Sequence, residues 1–210
     1  LVASGLASAR AVKNAAFISF GIASIAGLWL SLLTSPLLIL IGILAIAAAW
    51  GYTGGKNPYG YSGLGEVSVF TFFGLVATMG TYYVQTESIT ALSFIVAIPM
   101  GALSCAILEV NNIRDRAQDE LVGKRTLAVR LGDRKARHLY VSLLVLAHVA
   151  AVATLIPTAM LTLLVAPMSF SISKLVLSGA SGKELIPALG RTGKLQLIFA
   201  ILFALALAIQ

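Results

Sequence analysis

The sequence predicts an all-α fold, a polytopic bundle of transmembrane helices. Hydrophobic residues make up 59% of the 210 residues, charged residues make up only 11%, and the mean hydropathy is +0.95. In soluble domains roughly a quarter of the residues are charged, so this composition excludes an ordinary soluble domain. Several apolar runs reach the length of about 20 residues that a helix needs to cross a bilayer. We therefore expect an integral membrane protein.

Seven apolar runs qualify as membrane spans. The segments that connect them are alternately long and polar or only a few residues long. The short turns lie near Pro36, at residues 85–88 and near Pro157. Trp29 and Trp50 stand near predicted helix ends, where indole rings favour the membrane interface. In chain order, the predicted spans are 14–33, 36–52, 67–85, 89–109, 138–156, 158–176 and 195–210.

A few residues inside these spans are predicted to serve packing. Gly74, with Thr78 one turn later and Gly80 nearby, fits close contact between helices in lipid. Cys105 is the one cysteine, so it forms no disulfide and is interpreted as a small buried core residue. His148 lies on an apolar face and is interpreted as a packing histidine.

All fifteen Lys and Arg residues fall on one side of the predicted membrane. They precede the first span, follow the second and fourth spans, or lie at the end of the sixth span or after it, and the opposite turns carry none. By the positive-inside tendency this side is cytoplasmic. The net charge of +7 therefore indicates topology. It does not indicate a nucleic-acid partner, because no soluble domain presents the basic residues.

The two ends of the sequence predict a piece of a longer protein. Leu1 stands where an initiator methionine would be, and Gln210 closes an apolar run. We interpret residues 1–210 as a single domain that lacks an N-terminal portion.

Residues 110–137 place charge of both signs directly after the fourth apolar run. If the fourth helix continues past Val110, then Asn111, Asn112, Asp115 and Asp119 share an arc of about 100°. Two carboxylates on one face repel each other unless a cation or bases lie nearby. Hard oxygen donors suit Mg²⁺, which takes one or two carboxylates and fills its other positions with water and phosphate. The pattern predicts a magnesium site.

Basic residues flank the two acids and extend beyond them. Arg114 and Arg116 stand beside Asp115, and Lys124, Arg125 and Arg130 follow. Acids for a cation next to bases for an anion predict a Mg-diphosphate ligand, because the arginine fork matches phosphate oxygens. An alternative interpretation is a salt-bridged helix end that only anchors the topology.

The loop after the second span, "WGYTGGKNPYGYSGLGE", combines glycines with polar side chains. A flexible backbone carrying Tyr52, Lys56 and Asn57 can close over a ligand. The alternative is a glycine-rich turn with tyrosines at the interface. Neither this loop nor the charged segment contains the GxxxxGK[ST] pattern of a P-loop.

"NNIRDRAQDELVGKRTLAVRLG" resembles the second Asp-rich motif of the UbiA superfamily of membrane prenyltransferases, with Asn112, Asp115 and Asp119 in an N-x-x-D-x-x-x-D frame. Its end, "GKRTLAVRLG", is similar to the MenA branch, whose members prenylate 1,4-dihydroxy-2-naphthoate in menaquinone biosynthesis. Tyr52 and Lys56 fit the Y-x-x-x-K motif of the superfamily.

The resemblance implies nine membrane helices and two Asp-rich motifs that face each other across a cytoplasm-facing cavity. The seven spans would then match the third to ninth helices, and the first Asp-rich motif would precede this sequence. It also implies a multi-pass protein of the bacterial cell membrane, in contact with the lipid bilayer.

The implied reaction is Mg²⁺-dependent transfer of a polyprenyl group from polyprenyl diphosphate to 1,4-dihydroxy-2-naphthoate, with loss of CO₂, giving demethylmenaquinone. Alternatives are another aromatic acceptor such as 4-hydroxybenzoate, a membrane transporter, or a truncated inactive chain. The implied roles are metal binding by Asn112, Asp115 and Asp119; catalysis by Asp115, Asp119, Lys56 and Tyr52; and substrate binding by Arg114, Lys124, Arg125, Asn57 and Asn111.

Overall fold

The computed structural model describes residue 2 and residues 5–209, and it confirms the all-α class. No strand occurs among these residues. The helices are α1 (Ala9–Leu33), α2 (Leu37–Thr53), α3 (Gly65–Thr86), α4 (Ala91–Leu121), α5 (Leu127–Leu131), α6 (Asp133–Val152), α7 (Pro157–Leu177) and α8 (Gly182–Ala208), with a 3₁₀ turn at Tyr59–Ser62.

Six of these helices are long and apolar enough to cross a membrane. They are α1, α3, α4, α6, α7 and α8, and α2 is equally apolar but has 17 residues. Each of the seven predicted spans therefore corresponds to one helix. A multi-pass membrane protein is the fold that such a set of helices requires, because an apolar helix satisfies its backbone groups internally.

Three predicted starts were wrong. The last span was predicted to begin at residue 195, but α8 begins at Gly182. Helix α6 begins at Asp133 instead of 138, and α1 begins at Ala9 instead of 14. Hydropathy locates the apolar centre of a helix, whereas its ends extend as far as polar residues can cap them. In the first turn of α8, the Glu184 carboxylate accepts a hydrogen bond from the N–H of the preceding Ser181 at 3.0 Å, which stabilises the helix start at Gly182.

The chain divides into two compact units, Leu1–Trp50 and Gly51–Gln210. In the first unit, the Ser8 side chain caps α1 by accepting a hydrogen bond from the Ala11 N–H at 3.1 Å. The Phe17 ring stacks on the Trp50 ring at a centroid distance of 5.4 Å. All predicted site residues lie in the second unit.

Alanines line the contact between α4 and α6 at the centre of the second unit. Ala102 and Ala106 of α4, and Ala136, Ala147 and Ala151 of α6, are fully buried. Small residues allow two helix backbones to approach closely, which is how helices gain packing energy in lipid. This contact holds α4, the helix that carries the predicted metal face, in the core of the unit.

Gly74 of α3 lies directly against Gly101 of α4. A Cβ atom on Gly74 would lie 2.5 Å from the Gly101 Cα atom. Around Gly74, residues 70–76 form a π-helical segment. The predicted packing role is confirmed for Gly74. For Gly80 it was wrong, because a Cβ atom there meets nothing within 4 Å.

We expect Gly74→Ala to lower the thermal stability of the detergent-solubilised protein, because the added methyl group forces α3 away from α4 at a cost of about 1–3 kcal/mol. Gly80→Ala is the matched control, since the same change on the same helix enters open space. Melting temperatures of the two variants check this. Equal melting temperatures would contradict the proposed contact.

Candidate functional site

Helix α4 carries the predicted acidic face well beyond its apolar part. It runs unbroken from Ala91 to Leu121, so the predicted continuation past Val110 is confirmed. Its start is fixed by a capping box in which the Thr90 side chain and Ser93 exchange hydrogen bonds. It ends before Gly123, whose φ of +77° suits a glycine.

Asp115 is held by the residue next to it. The Arg114 Nε and Nη2 atoms donate to the two Asp115 carboxylate oxygens at 2.7 and 2.6 Å. The Asp115 side chain is 40% exposed, so both groups are reachable by a ligand. This fork uses two of the five N–H donors of the guanidinium group, and three remain for another anion.

Asp119 is buried and paired with a lysine from the following loop. Its side chain lies 3.1 Å from Lys124 Nζ, and its backbone carbonyl accepts a hydrogen bond from the Lys124 N–H at 2.8 Å. The Lys124 ammonium also lies 4.8 Å from the centre of the Tyr61 ring. The site therefore has alternating negative and positive charges along one end of α4 and the loop after it.

The structure brings the two predicted loops together. The Arg125 N–H donates to the Tyr61 carbonyl at 2.8 Å, which joins the glycine-rich loop to the segment after α4. At Gly63 the backbone has a φ of +77°, and a Cβ atom there would lie 2.8 Å from the Arg130 side chain. Glycine is required at this position for both reasons.

Three other predicted site residues, Tyr52, Lys56 and Asn57, belong to the end of α2 and the glycine-rich loop after it. Tyr52, near the end of α2, packs against Gly60 and Gly65 and makes an edge contact with the Tyr59 ring at 5.6 Å. Lys56 and Asn57 lie beyond α2 on the exposed part of the loop. Within the described residues, neither side chain is paired with an acid of α4.

Two buried glutamates were missed as site residues. Glu66 at the start of α3 is 8% exposed, and Glu109 of α4 is fully buried. The Asn112 Nδ2 group donates to Glu66 Oε1 at 2.9 Å, and Cys105 Sγ lies 3.2 Å from the Glu66 carbonyl oxygen. An acid inside an otherwise apolar run is itself a signal of function in membrane proteins, and it would have identified Glu109.

An apolar cavity of about 590 Å³ lies beside this end of α4. Its polar lining residues are Ser104, Asn111 and Gln196, and the Gln196 Nε2 atom donates to Ser104 Oγ at 2.9 Å. The remaining wall is formed by apolar side chains of α3, α4 and α8: Val69, Phe73, Ile107, Leu108 and Leu189. Asn111 thus stands between the cavity and the acidic face.

The donor set fits a magnesium ion that is shared with a phosphate ligand. Asn112, Asp115 and Asp119 supply one amide oxygen and two carboxylates from one helix face, and hard oxygens suit Mg²⁺. Among the described residues, no three His, Cys, Asp or Glu side chains are grouped as a complete metal cage. Mg²⁺ does not need one, because it usually retains waters and binds phosphate oxygens.

Comparison with known proteins shows the family of this chain. The profile of the UbiA prenyltransferase family matches residues 2–184. The chain belongs to this family. The family match covers the acidic face, the glycine-rich loop and both buried glutamates, and it confirms the family that the N-x-x-D-x-x-x-D motif indicated.

Individual relatives indicate the branch of the family to which the chain is most similar among those compared. The chain is 45% identical to 1,4-dihydroxy-2-naphthoate octaprenyltransferase of Mycobacterium tuberculosis over 210 residues, which cover 99% of this chain and 72% of the relative. It is 43% identical to the protein of the same name from Mycobacterium leprae, and the alignment covers 100% of this chain and 72% of that relative. The protein of the same name from Haemophilus influenzae is also 43% identical, and the alignment covers 80% of this chain and 56% of that relative. The similarity therefore confirms the MenA branch.

Proposed function

We propose that this UbiA-family chain transfers a polyprenyl group from polyprenyl diphosphate to 1,4-dihydroxy-2-naphthoate, as the names of its relatives indicate for those proteins. One observation carries the proposal. A face with Asn112, Asp115 and Asp119, interleaved with Arg114 and Lys124, stands at the end of an apolar cavity. A ligand with a charged diphosphate and a long apolar tail fits both parts at once.

The apolar cavity is the proposed place for the first units of the prenyl tail. Burial of each CH₂ group contributes about 0.8 kcal/mol, so an isoprenoid chain binds mainly by filling apolar space. The cavity wall near Asn111 is formed by Ile107 and Leu108, about two turns of α4 before Asp115. This arrangement would direct the allylic end of the tail towards Asp115 and Asp119.

Asn112, Asp115 and Asp119 are the residues that would hold Mg²⁺. When bound there, Mg²⁺ supplies positive charge that stabilises the departing diphosphate. The protein adds to this effect with its own cations, since Arg114 retains three N–H donors and Lys124 lies beside Asp119. Arg125 and Lys56, one from each loop, are proposed to bind diphosphate oxygens as well.

The transfer step balances without a further reactant. The C–O bond between the prenyl group and the diphosphate breaks and the diphosphate leaves. A C–C bond to the electron-rich ring forms, and the ring loses its carboxyl group as CO₂ and a proton. The direct product is demethylmenaquinol, the reduced form of demethylmenaquinone.

Three polar side chains are proposed to orient the two substrates. Asn111 lines the cavity, and Tyr52 and Asn57 belong to the end of α2 and the glycine-rich loop after it.

We also propose that the site faces the cytoplasm of a bacterial cell. All fifteen basic residues lie on the loops or helix ends of one membrane side in the predicted topology. The charged segment 110–137 belongs to that side. A cytoplasmic opening would give a soluble, charged acceptor direct access to the diphosphate end of the lipid substrate.

Release of CO₂ is the measurement that tests the function. The complete protein, expressed in membranes, is supplied with a polyprenyl diphosphate and 1,4-dihydroxy-2-naphthoate labelled in its carboxyl group. We expect labelled CO₂ to be released with Mg²⁺ and release to fall to background in excess chelator. Transfer to 4-hydroxybenzoate alone would overturn the acceptor, and full activity in the chelator would overturn the metal-dependent mechanism.

A further inference from the structure

Asn112 can serve a cation with only one of its two side-chain atoms. The amide oxygen Oδ1 is a ligand for Mg²⁺, whereas the Nδ2 group is a hydrogen-bond donor that repels cations. A rotation of the amide by 180° exchanges the two atoms. Something must therefore hold the Asn112 amide in the orientation that a metal site needs.

Glu66 supplies that restraint from a different helix. Its Oε1 atom accepts a hydrogen bond from Asn112 Nδ2 at 2.9 Å. The reversed amide would place Oδ1 against a carboxylate oxygen, and two acceptors cannot bond to each other. The Asn112 Oδ1 atom accepts no hydrogen bond from the part of the chain that the structure describes, which leaves it available as a ligand.

Glu66 is itself fixed by its surroundings. Its carbonyl oxygen lies 3.2 Å from Cys105 Sγ of α4. The preceding residue, Gly65, is wedged so closely that a Cβ atom would lie 3.1 Å from Tyr52 Oη and 3.2 Å from Leu108 Cδ2. The start of α3 therefore has little freedom to move away from Asn112.

Glu109 is a second buried acid of α4 and lies three residues before Asn112. Over residues 5–209, no N–H or hydroxyl group donates to either Glu109 oxygen or to Glu66 Oε2. The hydrogen bond from Asn112 Nδ2 to Oε1 is therefore the side-chain hydrogen bond by which Glu66 meets α4 within the described residues.

We propose that Glu66 is a positioning residue of the cation site, which it serves by holding the Asn112 amide with Oδ1 towards the metal. This inference rests on the proposed function, because it takes Asn112 as a ligand. Residues that orient metal ligands typically change metal affinity by about 10–100-fold when they are replaced. Glu66 is expected to act through Asn112 and not on the substrate.

The test uses the complete protein in detergent, with Mn²⁺ and inorganic diphosphate as the probe and electron paramagnetic resonance as the readout of bound Mn²⁺. We expect E66M to weaken Mn²⁺ binding by about 10-fold or more. E66Q retains an acceptor oxygen for Asn112 and is expected to stay within about threefold of the parent protein. N112A is expected to weaken binding as E66M does.

The double variant E66M/N112A separates positioning from a general loss of structure. If Glu66 acts only through Asn112, the double variant binds Mn²⁺ no more weakly than N112A. A merely structural role would lower the melting temperature and weaken Mn²⁺ binding by the same factor in both backgrounds, and that result would overturn the inference. If E66M does not fold, E66A makes the same comparison.

Asp115→Ala distinguishes failure of this inference from failure of the proposed function. If D115A weakens Mn²⁺ binding and E66M does not, the positioning role is wrong and the metal site stands. If D115A and N112A both leave Mn²⁺ binding unchanged, the metal assignment is wrong, and the role of Glu66 falls with it.

Discussion

Replacing Asp115 with alanine in the complete protein is expected to lower the rate of prenyl transfer at least ~100-fold, because groups that stabilise charge at the reacting atoms are worth about 10²–10³ in rate. The change removes a proposed metal ligand and frees Arg114, which the carboxylate holds through two hydrogen bonds. The stability cost should be small, since exposed ion pairs contribute about 0–1 kcal/mol. Labelled CO₂ release measures the rate, and the melting temperature measures stability.

Glu120→Ala is the matched control for this prediction. Glu120 stands on the same end of α4, with its side chain 65% exposed, and its closest basic partner, Arg116, is 3.9 Å away. It lies outside the Asn112, Asp115 and Asp119 face, so its removal should leave the rate within about twofold of the parent, as surface changes usually do. A rate in D115A equal to that of the parent protein would show that Asp115 is not a metal ligand.

Arg137→Met is expected to cause the largest loss of stability among the substitutions considered. The Arg137 side chain is buried and donates to four oxygen atoms: both carboxylate oxygens of Asp133 at 2.7 and 2.9 Å, the Val176 carbonyl, and the Ala180 carbonyl at 2.9 Å. The buried Val176 carbonyl, left without a donor, costs about 1–3 kcal/mol, and the partly exposed Asp133 and Ala180 acceptors add a smaller cost. The total is a large fraction of the stability of an ordinary domain.

Arg134→Met tests whether this loss comes from the contacts of Arg137 or from removing a positive charge near the membrane. Arg134 is exposed on the same turn of α6. We expect the melting temperature of R137M in detergent to fall well below that of the parent, and that of R134M to stay close to it. Equal melting temperatures for the two variants would show that the buried contacts contribute nothing.

The acidic face of α4 was predictable because it depends on one helix. Asn112, Asp115 and Asp119 follow one another at helical spacing, and an apolar run before them indicates that the helix continues. The partnership of Arg114 with Asp115 is equally local. The roles assigned to these residues stay predictions, since they describe bound ligands.

The partners of the acidic face depend on contacts between distant segments. Glu66 lies 46 residues before Asn112, and no periodic pattern pairs the two. In the sequence, Arg137 is one of many basic residues that indicate the cytoplasmic side. In the structure its side chain is buried and donates to a carbonyl near the end of α7. His148, in contrast, matches its predicted packing role, with a hydrogen bond to Ser169 at 2.9 Å and an edge contact with Phe199.

By itself, the sequence determined the membrane class, the order of the helices, the charged end of α4 and the family. The first three properties follow from composition and from spacing within single segments, which are local quantities, and the family follows from the resemblance of two motifs to a known superfamily. Only the tertiary structure decided three contacts. Asn112 donates a hydrogen bond to Glu66, Gly74 packs against Gly101, and the Arg125 N–H donates to the Tyr61 carbonyl of the glycine-rich loop. Each of these contacts requires a particular rotation of one helix against another, and side-chain packing between segments sets that rotation.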